Sequence, residues 1–143
     1  MKTPTNRFGA AVLFVLAIID LARGSFHWLA PDSGAGIVAG MNLLYPNARD
    51  VIFLLAIEGI SQIVWGIAYM IVISRAPQFV AIALAGEVLR GLMLLFTEYW
   101  LKPPFAPVPG RFMHMATTAV CGVALIYSMN LAKRGTRSMT VAP

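Results

Sequence analysis

Apolar residues run along this chain in four long blocks, Phe8 to Ala30, Val51 to Ser74, Gln78 to Leu101 and Phe112 to Leu131, parted by polar or proline-marked breaks. A helix needs about 20 residues to cross ~30 Å of hydrocarbon, and each block reaches that length. The pattern predicts an all-α integral membrane protein, an antiparallel up-and-down bundle of four transmembrane helices forming a single domain over residues 1–143. Only Arg75-Ala76-Pro77 separates the second and third blocks, too short a link to recross the membrane, so these two form a hairpin. The third and fourth are split by KPPFAPVPG, Lys102 to Gly110, whose four prolines stop a helix.

The first break carries a different signal. In FHWLAPDSGAGIVAGMN, Phe26 to Asn42, the glycines Gly34, Gly36 and Gly40 read G-x-G-x-x-x-G. A phosphate-cradling loop of that type needs a strand before it and a helix N-terminus after it. This one follows a membrane helix, which argues against dinucleotide binding. The same residues predict a lid: Pro31 ends the first helix, and Asp32 or Ser33 caps a short new one. Ile37, Met41 and Leu44 form its apolar side at i, i+4 and i+7, while Gly36 and Gly40 allow close packing against another helix. The expectation is a short interfacial or re-entrant helix in the first outer loop, with His27 and Asp32 standing over the outer mouth of the bundle.

Composition supports the membrane reading. Hydrophobic residues make up 59% of the chain and charged residues 12%, against about 25% charged in soluble domains, so lipid has to cover the apolar surface. The net charge of +5 does not point to nucleic acid, because the basic residues lie at chain ends and loops with no aromatic interleaving. They serve instead as orientation signals. Lys2, Arg7, Arg75, Lys133, Arg134 and Arg137 fall on one side, against Arg23, Arg49, Lys102 and Arg111 on the other. This favours both termini in the cytoplasm, with the glycine-rich and proline-rich loops outside and residues 132–143 as a basic tail drawn to anionic lipid. Lys2 and Arg7 before an apolar run, with Ala22-Arg23-Gly24 behind it, also resemble a cleaved signal segment. The apolar stretch resumes after Arg23, however, and favours a retained helix. Cys121 is the single cysteine, so neither an intramolecular disulfide nor a redox dithiol is available.

Ionisable groups inside these blocks carry the candidate chemistry, since each costs about 2.5–3.5 kcal/mol to insert at a bilayer centre. Asp20, Glu58, Glu87 and Arg90 qualify. Helical spacing aligns Asp20, Arg23 and His27 on the first helix and Glu58, Ser61, Gln62, Trp65 and Tyr69 on the second. It aligns Glu87 with Arg90 on the third, and His114, Thr117, Thr118, Cys121 and Ser128 on the fourth. These stripes are expected to converge inside the bundle. One reading makes Asp20, Arg23, Glu58, Gln62, Glu87 and Arg90 a polar cavity open to the outer face, holding a small ligand, a quinone head group or a proton path. The other makes them an ionic lock, with Glu87 paired to Arg90 and Glu58 to Arg23. His27 and His114 both fall at outer helix ends, where paired haem or metal ligation competes with an interfacial role beside Trp28 and Phe112. No spacing motif supports a cofactor, and none is predicted. H-E-x-x-H, G-x-x-x-x-G-K-[ST] and G-x-S-x-G are all missing from the sequence.

The stretch IEGISQIVWG in the second helix and AGEVLRG in the third resemble the DoxX-like family of small bacterial inner-membrane proteins, through Glu58, Gly59, Gly66 and Glu87. The long glycine-rich first loop and Arg90 lie outside that pattern. The resemblance implies the four-helix membrane fold, and some members are accessory subunits of quinone-linked oxidoreductases. Three functional expectations result. The first is a non-enzymatic bundle that binds a small molecule or lipid, or acts as an accessory subunit or homo-oligomer. The second is a membrane enzyme or quinone-linked redox component working at the outer face through His27, Asp32 and the acidic cluster, and the third a small proton-coupled transporter.

Overall fold

The computed structural model describes residues 6–104 and 110–140, with side chains described as far as residue 131. The described residues form helices joined by turns and loops, and they contain no strand. Helix α1 spans Arg7–Leu29, α2 Ala48–Arg75, α3 Val80–Phe96 and α4 Arg111–Thr140. A 3-10 turn, Pro77–Phe79, leads into α3, and a π turn, Thr97–Leu101, extends it. Four segments are long and apolar enough to cross a membrane, as expected of a multi-pass membrane protein: Arg7–Leu29, Ala48–Arg75, Pro77–Leu101 and Arg111–Leu131.

Local chemistry sets the helix ends. Asn6 caps α1, its side-chain oxygen accepting from the N–H of Gly9 at 3.0 Å. Between α2 and α3, Ala76 leaves the helical region and Pro77 opens the next turn, where its missing N–H has no cost. At the far end of α3 the N–H of Lys102 reaches five residues back to the carbonyl of Thr97 at 2.8 Å, giving the π turn. Pro103 and Pro104 follow, which disfavours helix in the residue before each. The remainder of the proline-rich loop, residues 105–109, lies outside the described residues. Helix α4 continues nine residues beyond the expected end at Leu131, because no proline occurs before Pro143 and Ala132, Lys133, Arg134, Arg137 and Met139 are good helix formers.

The chain forms two compact units, Val15–Met70 and the combination of Met1–Phe14 with Ile71–Pro143. In the second of these, α3 packs on α4 and the start of α1 joins them. Gly91 lies directly against the Thr118 side chain, Gly9 against Val80 and Asn6, and Asn6 also donates to the Ser128 hydroxyl. The Phe8 and Tyr127 rings meet edge to face at 5.4 Å. Leu13, Val80, Leu84, Cys121 and Ala124 are fully or almost fully buried. Thr117 and Thr118 donate to the carbonyls of Met113 and His114, each at 2.6 Å, so these α4 hydroxyls are satisfied within their own helix.

In the Val15–Met70 unit, α1 and α2 meet through small residues spaced seven apart. Gly24 faces Gly59 and Ala17 faces Gly66, an antiparallel register in which backbones approach closely. The α2 stripe predicted to point inward is divided by this register. Gln62 and Tyr69 are buried, whereas Glu58, Ser61 and Trp65 are exposed, because the line through Gly59 and Gly66 faces α1 and leaves those three on its flank.

The expected lid helix is not formed. Residues 31–39 fold as consecutive turns, with Val38 bonded to the Gly34 carbonyl and Gly40 to that of Gly36. The Asp32 carboxylate takes the N–H groups of Gly34, Gly36 and Ile37 at 2.9, 3.0 and 2.9 Å, and Ser33 and Gly34 adopt left-handed φ values of 50° and 79°. Two successive left-handed residues cannot begin an α-helix. Ser33, Gly34 and Ala35 are buried, while Ile37, Met41 and Leu44 face outward. Gly36 does pack tightly, against Leu43 and Asp32, whereas Gly40 has open space around it.

Candidate functional site

The polar residues of the Val15–Met70 unit lie along the C-terminal half of α1 and, across the Gly24–Gly59 contact, near the middle of α2. His27 is 8% exposed and uses both ring nitrogens. Its Nδ1 lies 2.6 Å from the Ser33 carbonyl and its Nε2 accepts from Arg23 Nε at 3.2 Å. A carbonyl only accepts and an arginine Nε–H only donates, so Nδ1 carries the proton and Nε2 the lone pair. One chain of hydrogen bonds thus runs from the Arg23 guanidinium through the imidazole to the buried turn at Ser33. Gly34 presses on the same ring and on Phe26, and Gly59 on the His27 Cβ, so the histidine is enclosed by backbone.

On α2, Gln62 Nε2 donates to Glu58 Oε1 at 3.3 Å. Gln62 is buried with its own carbonyl oxygen lacking a hydrogen-bond partner, and Glu58 is exposed beside it. Asp20 is buried on the α1 stripe that carries Arg23 and His27. The cross-helix ion pair expected between Arg23 and Glu58 is not made: Arg23 turns to His27, and Glu58 to Gln62.

The remaining expected residues belong to the other unit. Arg90 donates to Glu87 at 2.8 Å, joining a buried carboxylate to a partly exposed guanidinium one helical turn away. His114 Nδ1 lies 2.6 Å from Glu98 Oε1. A carboxylate accepts, so this imidazole also carries its proton on Nδ1. Arg111 completes the group, donating to the Glu98 carbonyl at 3.2 Å and lying 4.5 Å over the Tyr99 ring. Glu98 was missed by the sequence reading because its position opposite α4 depends on the π turn, which no periodicity announces. The same is true of the Ser33 carbonyl, a main-chain group that only the turn aims at His27.

Asp32 does a local job in the loop. The N–H groups of Ile37 and then Gly34, with a smaller share from Gly36, hold its carboxyl below the ordinary value, against a weaker opposing effect of desolvation. The described residues contain no cluster of three or more His, Cys, Asp or Glu side chains able to hold a metal. No family model matches this chain, and neither does any curated protein or solved structure.

Proposed function

We propose that this protein is a multi-pass membrane protein that binds a small molecule or lipid beside the Gly24–Gly59 crossing of its Val15–Met70 unit, without catalysing a reaction there. The observation that carries this reading is the double commitment of His27. A general acid or base needs a nitrogen within reach of the reacting group, and a metal or haem ligand needs a free lone pair. Here one nitrogen donates to Ser33 and the other accepts from Arg23. Arg23 and Glu58 remain exposed beside the Gly24–Gly59 crossing, suited to holding a polar group.

The excess of Lys and Arg at both termini and beside Pro77 supports a topology with the termini in the cytoplasm and the glycine-rich loop after α1 facing outward. Native mass spectrometry of the gently extracted protein tests the proposal. A retained small molecule or lipid, lost in Arg23→Gln, is the expected result. A visible chromophore bound through His27, or the absence of any adduct dependent on Arg23, would overturn it.

A further inference from the structure

Arg23 and Glu58 carry opposite charges, are both exposed, and do not pair with each other. The Gly24–Gly59 contact fixes where they stand. Each precedes its contacting glycine by one residue on antiparallel helices, so they flank the crossing on the same face. One residue to either side of the contact separates them by only about 3 Å along the helix axes. Both are already oriented: the Arg23 Nε is held by His27 and Glu58 Oε1 by Gln62. What remains is a forked donor on one side and a carboxylate oxygen on the other.

We propose, building on the binding role above, that this face of the crossing recognises a zwitterionic group: a phosphate or carboxylate lying on Arg23, with an adjoining primary ammonium on Glu58. An anion alone would satisfy Arg23 but place its charge beside Glu58, and a cation alone would do the reverse. A single group with both charges forms two charge-assisted hydrogen bonds and no repulsive contact. The guanidinium suits the anionic end because its fork matches two oxygens, and the carboxylate suits an ammonium with three donors. The chemistry is that of a phosphatidylethanolamine head group, and equally that of a free amino acid or phosphoethanolamine.

Wild type, E58Q and R23Q are reconstituted in nanodiscs of equimolar phosphatidylethanolamine and phosphatidylglycerol, and the lipids retained are read by native mass spectrometry. A second arm titrates lipid-stripped protein with phosphoethanolamine and with glycine, which separates a lipid source from a soluble one. Wild type is expected to prefer the zwitterion over the anion by about tenfold, the ratio that one charge-assisted contact supplies. E58Q, which keeps the shape and the Gln62 contact, removes the preference while anion binding persists. R23Q loses both. If R23Q does not fold, E58Q alone decides. Equal retention of both lipids with no response to either soluble zwitterion, or an E58Q that discriminates like wild type, refutes the zwitterion and leaves a binding protein of another specificity. No retained lipid or small molecule in either arm refutes the binding role as well.

Discussion

Gly24 and Gly59 meet backbone to backbone: a Cβ on Gly24 would lie 2.5 Å from the Gly59 carbonyl oxygen, and one on Gly59 would lie 2.7 Å from that of Gly24. Neither carbonyl can rotate away without breaking a helical hydrogen bond, so an added methyl must push α1 from α2.

Gly59→Ala and Gly24→Ala are therefore expected to destabilise the protein by about 1–3 kcal/mol, the usual cost of overpacking. Gly86 and Gly122 have nothing within 4 Å of an added Cβ. Replacing either by alanine should be neutral or stabilising by up to about 1 kcal/mol, since alanine is the better helix former. Thermal unfolding of the four variants in one detergent checks the contrast, and equal losses at all four positions would contradict the glycine crossing.

The four blocks and the break at Pro77 were legible in the sequence, because span length and a proline break are local properties. The inward placement of the whole α2 stripe was not. Spacing reports which residues share a face, but which part of a face is covered depends on the Gly59–Gly66 line, set by the partner helix.

The loop has its own pH signature. The Asp32 carboxyl is depressed below its ordinary value of 3.8 by backbone N–H groups, Ile37 first. A depressed carboxylate contributes stability that is fully present above the unfolded value and is lost as pH falls through the folded one. The amide resonances of Gly34, Gly36 and Ile37 should stay constant from neutral pH down to about 4 and shift together only below it. In Asp32→Asn they should show no such acid transition. A transition above pH 5 in the wild type would mean the carboxylate is not held by these amides.

The buried Glu87 and its partner Arg90 are expected to be energetically coupled. Contacting charged residues in one network show coupling of about 0.5–3 kcal/mol. In a double-mutant cycle with Glu87→Gln and Arg90→Gln, read by unfolding in detergent, the double variant should lose less than the sum of the single losses. Strict additivity would show that the 2.8 Å contact carries no net stability.

Histidine tautomers offer a direct check on the two imidazoles. Ring nitrogen chemical shifts of His27 and His114 at neutral pH should both report the proton on Nδ1, fixed by Ser33 and Glu98. Glu98→Gln should alter the His114 ring signals and leave those of His27 in place. His27 protonated on Nε2 would break the chain from Arg23 to Ser33.

The sequence by itself determined the number of apolar helices and most of their ends, and it set Glu87 and Arg90 one turn apart where they can pair, since helix periodicity reaches three or four residues. Only the tertiary structure decided that Arg23 turns to His27 rather than to Glu58, that Asp32 gathers three amides of its own loop in place of capping a helix, and that a π turn brings Glu98 to His114. These relationships depend on close backbone approach, left-handed residues and one extra residue in a turn. None of the three leaves a repeating pattern of polar and apolar positions, so none could be read from the chain alone.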